Sequence, residues 1–387
     1  MYRIYYAERD TTLYEKFPEQ NTGIDQILEL TKIASGSKLN GIIQSKTFNS
    51  RILIDFGSEL TKLSSSIHSG EIPRIGNHKL SSSVFLSLKA SDASDLLQSY
   101  TIEAYPVSES WENGNGFFSD DPINRVGASW FHRSGDASLG SARDWNTGSA
   151  HSSNELGATE TFGGGTWVTG SGFEASQSFQ NESPDIKMNV SDIVQKMFNG
   201  SVTNNGFIIK RRHSDEIDDE VRGNLKFFGR ESHTIFVPKL EVCYDDSDLS
   251  GNVSIISSDT YVPYFKNIKA EYRRSEIAKF RVGVRPEFPN KSFVTESFFL
   301  TGERLPLSSS YSIIDSVTNE TIIPFTEINE EFVNSKTKIS SDDLGSYFKL
   351  RMDSFMPERY YKIMLKMIRN DKGDTQTFDD FYFKVVN

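Results

Sequence analysis

Six histidines, one cysteine and 53 carboxylates are the groups in this 387-residue chain that could ligate a metal or carry a proton. His68, His78, His132, His151, His213 and His233 never recur at i+3, i+4 or i+5, and Cys243 does not accompany them at zinc spacing. Zinc needs a compact set of nitrogen and sulfur ligands, so the pattern predicts polar surface or loop histidines and leaves any metal ligand unknown. The acidic clusters Asp215-Glu216-Ile217-Asp218-Asp219-Glu220 and Asp245-Asp246-Ser247-Asp248 offer the oxygens that calcium favours. Neither shows the spacing of a calcium loop with a terminal bidentate glutamate, so both read as solvated loops and a structural calcium has no support from spacing. No Gly-x-Ser-x-Gly elbow, phosphate loop or dinucleotide fingerprint occurs. Gly163-Gly164-Gly165-Thr166-Trp167 has no lysine-bearing helix after it, so it reads as a tight turn or backbone crossover. Glycoside hydrolysis needs two carboxylates at a set separation, and no pair stands out from the sequence. The expectation is a protein without catalysis and without a cofactor.

Recognition is the better prospect, and it rests on tryptophan. Trp111, Trp130, Trp145 and Trp167 all lie in a Gly/Ser/Asn-rich stretch running from about 109 to 182. An exposed indole stacks on a sugar ring or anchors a protein interface. Trp111, at a strand end before Glu112-Asn113-Gly114, reads first as a core residue at a sandwich edge. Trp130, Trp145 and Trp167 sit in the insertion, where a flexible loop buries tryptophan poorly by itself. The four together are the candidate binding residues, facing a neighbouring subunit or a glycan. So many tryptophans predict an ordered stretch that covers one end of a sandwich, or strands hidden within it.

The elements that must position these residues read as strands. Residues 2–7, Ser50–Phe56, Ser83–Lys89, Tyr100–Val107 and Asp185–Val190 show the pattern, while Ile24–Ile33 fits a helix or a strand equally well. Ser191–Phe198 predicts a short helix with Ser191 as N-cap, ended by Asn199-Gly200. Strands at Gly206–Lys210, Gly223–Gly229 and Phe236–Val242 close a first unit at residue 246, and the polar break 245–251 marks the boundary. Residues 247–275 are a linker or a first strand. Residues 276–387 predict an immunoglobulin-like β-sandwich, with a hairpin loop at Asn370–Asp374 and an edge strand at Phe381–Val386 open to β-augmentation. The fold expected is mainly β: a jelly-roll-like sandwich with a long insertion, then an immunoglobulin-like sandwich.

Bulk properties narrow the partners. The aromatic share of 12% is too rich for a disordered chain, and the net charge of −11 argues against a nucleic-acid binder. One cysteine permits no intrachain disulfide. Residues 1–10 lack the apolar core of a secretory signal, and no segment has the length of a membrane-spanning helix, so no membrane partner is expected.

Residues 1–246 resemble the disaggregatase-related (DNRLRE) carbohydrate-binding sandwiches. The resemblance rests on Ala7–Thr12 with Asn21-Thr22-Gly23, Arg51–Phe56, Val84–Leu88, Tyr105-Pro106-Val107 followed by Ser110–Gly114, and Ala128-Ser129-Trp130. It continues through Val190–Val194, Asn205–Ile209 and Ser232–Val242, departs in the insertion between Trp130 and Phe179, and implies a sugar-binding sandwich. The whole chain also looks like virion structural proteins of T4-like marine tailed phages, on Tyr5–Glu15 and Pro357–Ile363. That likeness implies a virion component, made in the host cytoplasm, whose partners are other virion proteins or copies of itself. A carbohydrate- or receptor-binding module at the virion surface is the alternative.

Overall fold

Period-two alternation builds most of the molecule: Ser83–Leu88 buries Val84, Leu86 and Leu88 and leaves the residues between them half-exposed. A computed structural model describes residues 1–39, 42–76, 81–146, 163–257, 260–288, 303–326, 336–368 and 375–387. His78, His151 and the expected hairpin loop Asn370–Asp374 lie outside the described residues.

In chain order the first elements are β1 (Tyr2–Tyr6), β2 (Arg9–Tyr14), β3 (Ile27–Leu39), β4 (Ile42–Asp55), α1 (Gly57–His68), β5 (Ser83–Leu88), β6 (Ala90–Ser94) and β7 (Ser99–Pro106). Next come β8 (His132–Ser134), β9 (Arg143–Asp144), β10 (Ala175–Gln180), β11 (Ile186–Asn189), α2 (Ser191–Phe198), β12 (Phe207–Arg211), α3 (His213–Ile217), β13 (Gly223–Phe228) and β14 (Lys239–Cys243). The rest are β15 (Tyr261–Phe265), β16 (Glu271–Arg273), β17 (Ile277–Pro286), β18 (Ser310–Asp315), β19 (Thr321–Ile323), β20 (Ser340–Asp342), β21 (Gly345–Arg351), β22 (Arg359–Ile368) and β23 (Thr375–Val386). The molecule is mainly β and of the sandwich class, as its alternation implies. It divides into two compact units, one of Tyr5–Gly76 with Ser83–Glu241, the other built mainly on Met1–Ile4 and Val242–Asn387.

The first unit carries a large sheet of order β10-β7-β12-β4-β3-β13-β6, with β2 also paired to β4, and an antiparallel pair of β5 and β11. Strand β12 is central and buried along its whole length, so its sequence Phe-Ile-Ile-Lys-Arg puts two cations inside the protein. The segment Ile24–Ile33 resolves to strand from Ile27 onward. The insertion is partly sheet: β10 pairs with β7 from Ala175 opposite Ala104 to Gln180 opposite Ser99, and β8 pairs with β9. Helix α2 starts at Ser191, but Ser191 is not its cap. Asn189 Oδ1 accepts the Ser191 N–H at 3.0 Å, while Ser191 Oγ accepts the Val84 N–H at 2.9 Å.

In the second unit the sheets are β15-β17-β21-β20 and β16-β23-β22-β18-β19. Stacked rings hold its core: Phe280 on Phe348 at 5.2 Å and Tyr311 on Phe348 at 4.2 Å. The expected open edge at Phe381–Val386 needs correction. Strand β16 lies parallel to Lys384–Val386 and β22 pairs on the other side, so the end of that strand is covered.

Candidate functional site

The structure brings the four candidate tryptophans together, and it buries them. Trp111, Trp130, Trp145 and Trp167 are each only 2–3% exposed and share one apolar cluster with Leu13, Leu53, Val107, Ala128 and Ile208. Trp111 donates its Nε1–H to Asn205 O at 2.8 Å, and Trp145 donates to Ser129 O at 2.9 Å. Trp111 is core, as first read, and Trp130, Trp145 and Trp167, offered to a neighbouring subunit or a glycan, are core as well. Their loop does not bury them alone; strands β2, β4 and β12 supply the other half of the cluster.

Charge pins this cluster in place. Arg51, on β4, lies over Trp130 at 4.8 Å and Trp167 at 5.0 Å, and donates from Nη1 to Gly164 O at 2.8 Å. Its Nε and Nη2 form a fork on Glu216 at 3.0 and 2.9 Å, and Lys210 Nζ reaches the same carboxylate at 3.0 Å. Burial opposes the charge on Glu216, but Arg51 and Lys210 outweigh it and hold the carboxyl below its ordinary range. Gly164 is required here: with φ +81° it lies so close that a Cβ would meet Arg51 Nη1 at 2.5 Å. The crossover read at Gly163–Trp167 is thus the lid of a buried ion triad. Of the acidic stretch 215–220, read as solvated, Asp219 and Glu220 are exposed, while Glu216 is buried and Asp218 meets the fully buried Lys32 at 2.6 Å.

Accessible chemistry lies elsewhere in the same unit. An open cleft of about 340 Å³ is lined by Tyr14, Asp25, Gln26, Ile27, Glu29, Phe117, Phe118 and Lys226. Tyr14 ends β2, Ile27 and Glu29 open β3, and Lys226 lies directly opposite Glu29 on β13. Glu29 is spoken for: Lys226 Nζ meets Oε1 at 3.0 Å and Tyr14 Oη–H donates to Oε2 at 3.0 Å. Burial, then the Glu29 charge, push the Tyr14 phenol well above its ordinary range, so it stays a donor. Asp25 Oδ2 accepts the Phe118 N–H at 3.1 Å. Burial raises Asp25 to about 6; the Phe118 amide opposes the rise and the Glu29 and Asp120 charges add to it.

The loop bearing Phe117 and Phe118 is held from beneath by Asn21, which is fully buried. Asn21 Nδ2 donates to Asn113 O at 2.8 Å and Ala128 O at 2.7 Å, while Oδ1 accepts from Gly116 N–H at 2.8 Å. A Cβ at Gly116 would meet Asn21 O at 2.4 Å, so the doublet can be presented only next to a glycine. Phe118 tilts onto Tyr14 at 4.9 Å and meets Phe17 edge-on at 5.6 Å. Phe17, Phe117 and Phe118 are 38%, 40% and 43% exposed, a cluster of apolar rings at the surface.

Tryptophan alone does not point to these residues. The signals that do are a Phe-Phe doublet in a polar loop, and Asp25, Ile27 and Glu29 at alternate positions, which share one face of an extended chain. The arrangement suits recognition of a flat or charged group between aromatic rings and carboxylates. Among the histidines, His132 Nδ1 meets Asp144 Oδ1 at 2.7 Å. Among the described residues no three His, Cys, Asp or Glu side chains gather as a metal site would require. No family model matches the chain, and a search of curated proteins finds no match.

Proposed function

We propose that this chain is a non-enzymatic structural component of a tailed-phage virion, acting through subunit–subunit contacts. One observation supports the assembly reading most. Strand β13 covers β3 only over Ile27–Lys32, and β2 covers β4 only over Ser50–Asp55. Beyond those limits Ala34–Leu39 and Ile42–Thr47 pair with each other, and no third strand joins them among the described residues. A two-stranded ribbon is marginal by itself in water, and its outer edges offer unpaired backbone groups. Such a ribbon gains stability when a neighbouring subunit adds a strand or a surface to it. The buried ion triad and tryptophan cluster stiffen the unit that carries the ribbon, which suits a building block.

The carbohydrate-binding alternative drew on tryptophans standing free at the surface, and their burial removes that support. A shortened chain tests the assembly reading: residues 34–47 replaced by a two-residue Asn-Gly turn. The expected outcome is a free protein that melts as the parent does but no longer enters the particle. Incorporation at the parental level would count against the proposal.

A further inference from the structure

The cleft beside Phe118 has a charge imbalance that the assembly reading does not use. Glu29 commits one oxygen to Lys226 and the other to Tyr14. Asp25 accepts only the Phe118 amide, and among the described residues no cation pairs with it. The charge of Asp120, whose Oδ2 accepts the Phe117 N–H at 2.9 Å, also disfavours the ionised form of Asp25. Two lining carboxylates, with the Asp120 charge acting on one of them, therefore stand against one lysine, beside rings that are themselves about two-fifths exposed. The loop is not free to collapse and fill the gap, because Asn21 and Gln20 hold its backbone; Gln20 Nε2 donates to Phe118 O at 2.6 Å.

We propose that this cleft docks an arginine side chain presented by a partner polypeptide, its guanidinium stacked against Phe117 and Phe118 and hydrogen-bonded to Asp25. The chemistry selects that group over others. A phosphate would meet net negative charge. A neutral sugar would leave the carboxylates uncompensated. A lysine ammonium is strongly hydrated and makes a point contact, whereas a guanidinium is planar, weakly hydrated, stacks on rings and donates a two-pronged hydrogen bond. The site holds whether or not the chain belongs to a virion.

Proton linkage gives the site a signature. Burial lifts Asp25 to about 6, with Glu29 from β3 and Asp120 from the loop adding to the rise, while Tyr14 from β2 stays neutral and Lys226 from β13 is paired to Glu29. A bound cation favours the ionised carboxylate, so arginine affinity is expected to strengthen as pH rises through that value.

Saturation-transfer NMR on the full chain tests this with N-acetylarginine methylamide as probe, its citrulline analogue as neutral isostere and chitotriose as neutral sugar. The expected result is saturable binding of the arginine probe, at least about tenfold tighter than citrulline, stronger above than below the Asp25 transition and lost in Asp25→Asn and Phe118→Ala. Asp25→Asn is expected to melt no lower than the parent at neutral pH, which separates lost binding from lost folding. No arginine binding, equal binding of the two isosteres, arginine binding that survives Asp25→Asn, or a sugar that competes for the cleft would each overturn the proposal.

Discussion

Glu216 pairs with two buried cations of the first unit, Arg51 and Lys210. Removing it leaves Arg51 and Lys210 buried without their counter-ion, so Glu216→Ala is expected to cost about 3–5 kcal/mol by denaturant unfolding. Its depressed carboxyl makes this stabilisation present above the ordinary carboxyl range and lost as pH falls through the folded-state value. Asp10 works in the opposite sense. Burial raises it to about 7, against the Arg230 N–H that donates to Oδ2 at 2.7 Å. A raised acid binds its proton more tightly when folded, so its contribution is full below the ordinary carboxyl range and lost as pH rises toward 7. Asp10→Asn keeps an acceptor for Arg230 and removes the charge. The variant is expected to gain on the parent between about pH 4 and pH 8, by at most roughly 4 kcal/mol. Parallel denaturation curves at those two pH values check it; a constant gap would show that Asp10 does not titrate as its burial implies.

At the scale of elements, the loop that presents Phe117 and Phe118 depends on a side chain almost a hundred residues away. Asn21→Ala removes two donated bonds and leaves buried backbone groups unsatisfied, a loss of about 2–4 kcal/mol. Hydrogen exchange at Gly116–Phe118 is expected to speed up with it, and unchanged exchange would mean the loop holds itself. Such dependence marks where sequence reading succeeds and stops. Alternation alone reveals β5 and β7, and apolar spacing reveals α2. Helix α1 is buried at Leu60 and Leu63, yet it hides because its N-terminal anchor is distant: Ser58 N–H donates to Glu8 Oε1 at 3.0 Å. The tryptophans give the same lesson. Their position in a glycine-rich loop suggests exposure, and only the cations of β4 and β12, neutralised by Glu216 of α3, make the interior that receives them. The open cleft is written in residues from four separate segments, which no local pattern joins.

For the whole molecule the central proposal is that the β-units carry a weakly supported ribbon, Ala34–Leu39 with Ile42–Thr47, for a neighbour to complete. The claim separates two populations of backbone amide within the same hairpin. Amides of β3 and β4 inside the large sheet, such as those of Leu28, Leu30, Leu53 and Ile54, belong to the fully buried core. Those of the ribbon have no third strand among the described residues. Local stability follows such support, so the ribbon is expected to open far more readily than the core of the same strands. Amide hydrogen exchange on the full chain, free and within assembled particles, measures this directly. The account predicts fast exchange at 34–39 and 42–47 in the free chain and marked slowing there on assembly, with the core residues slow in both. Ribbon amides that exchange as slowly as the core in the free chain, or that stay fast in the particle, would contradict it.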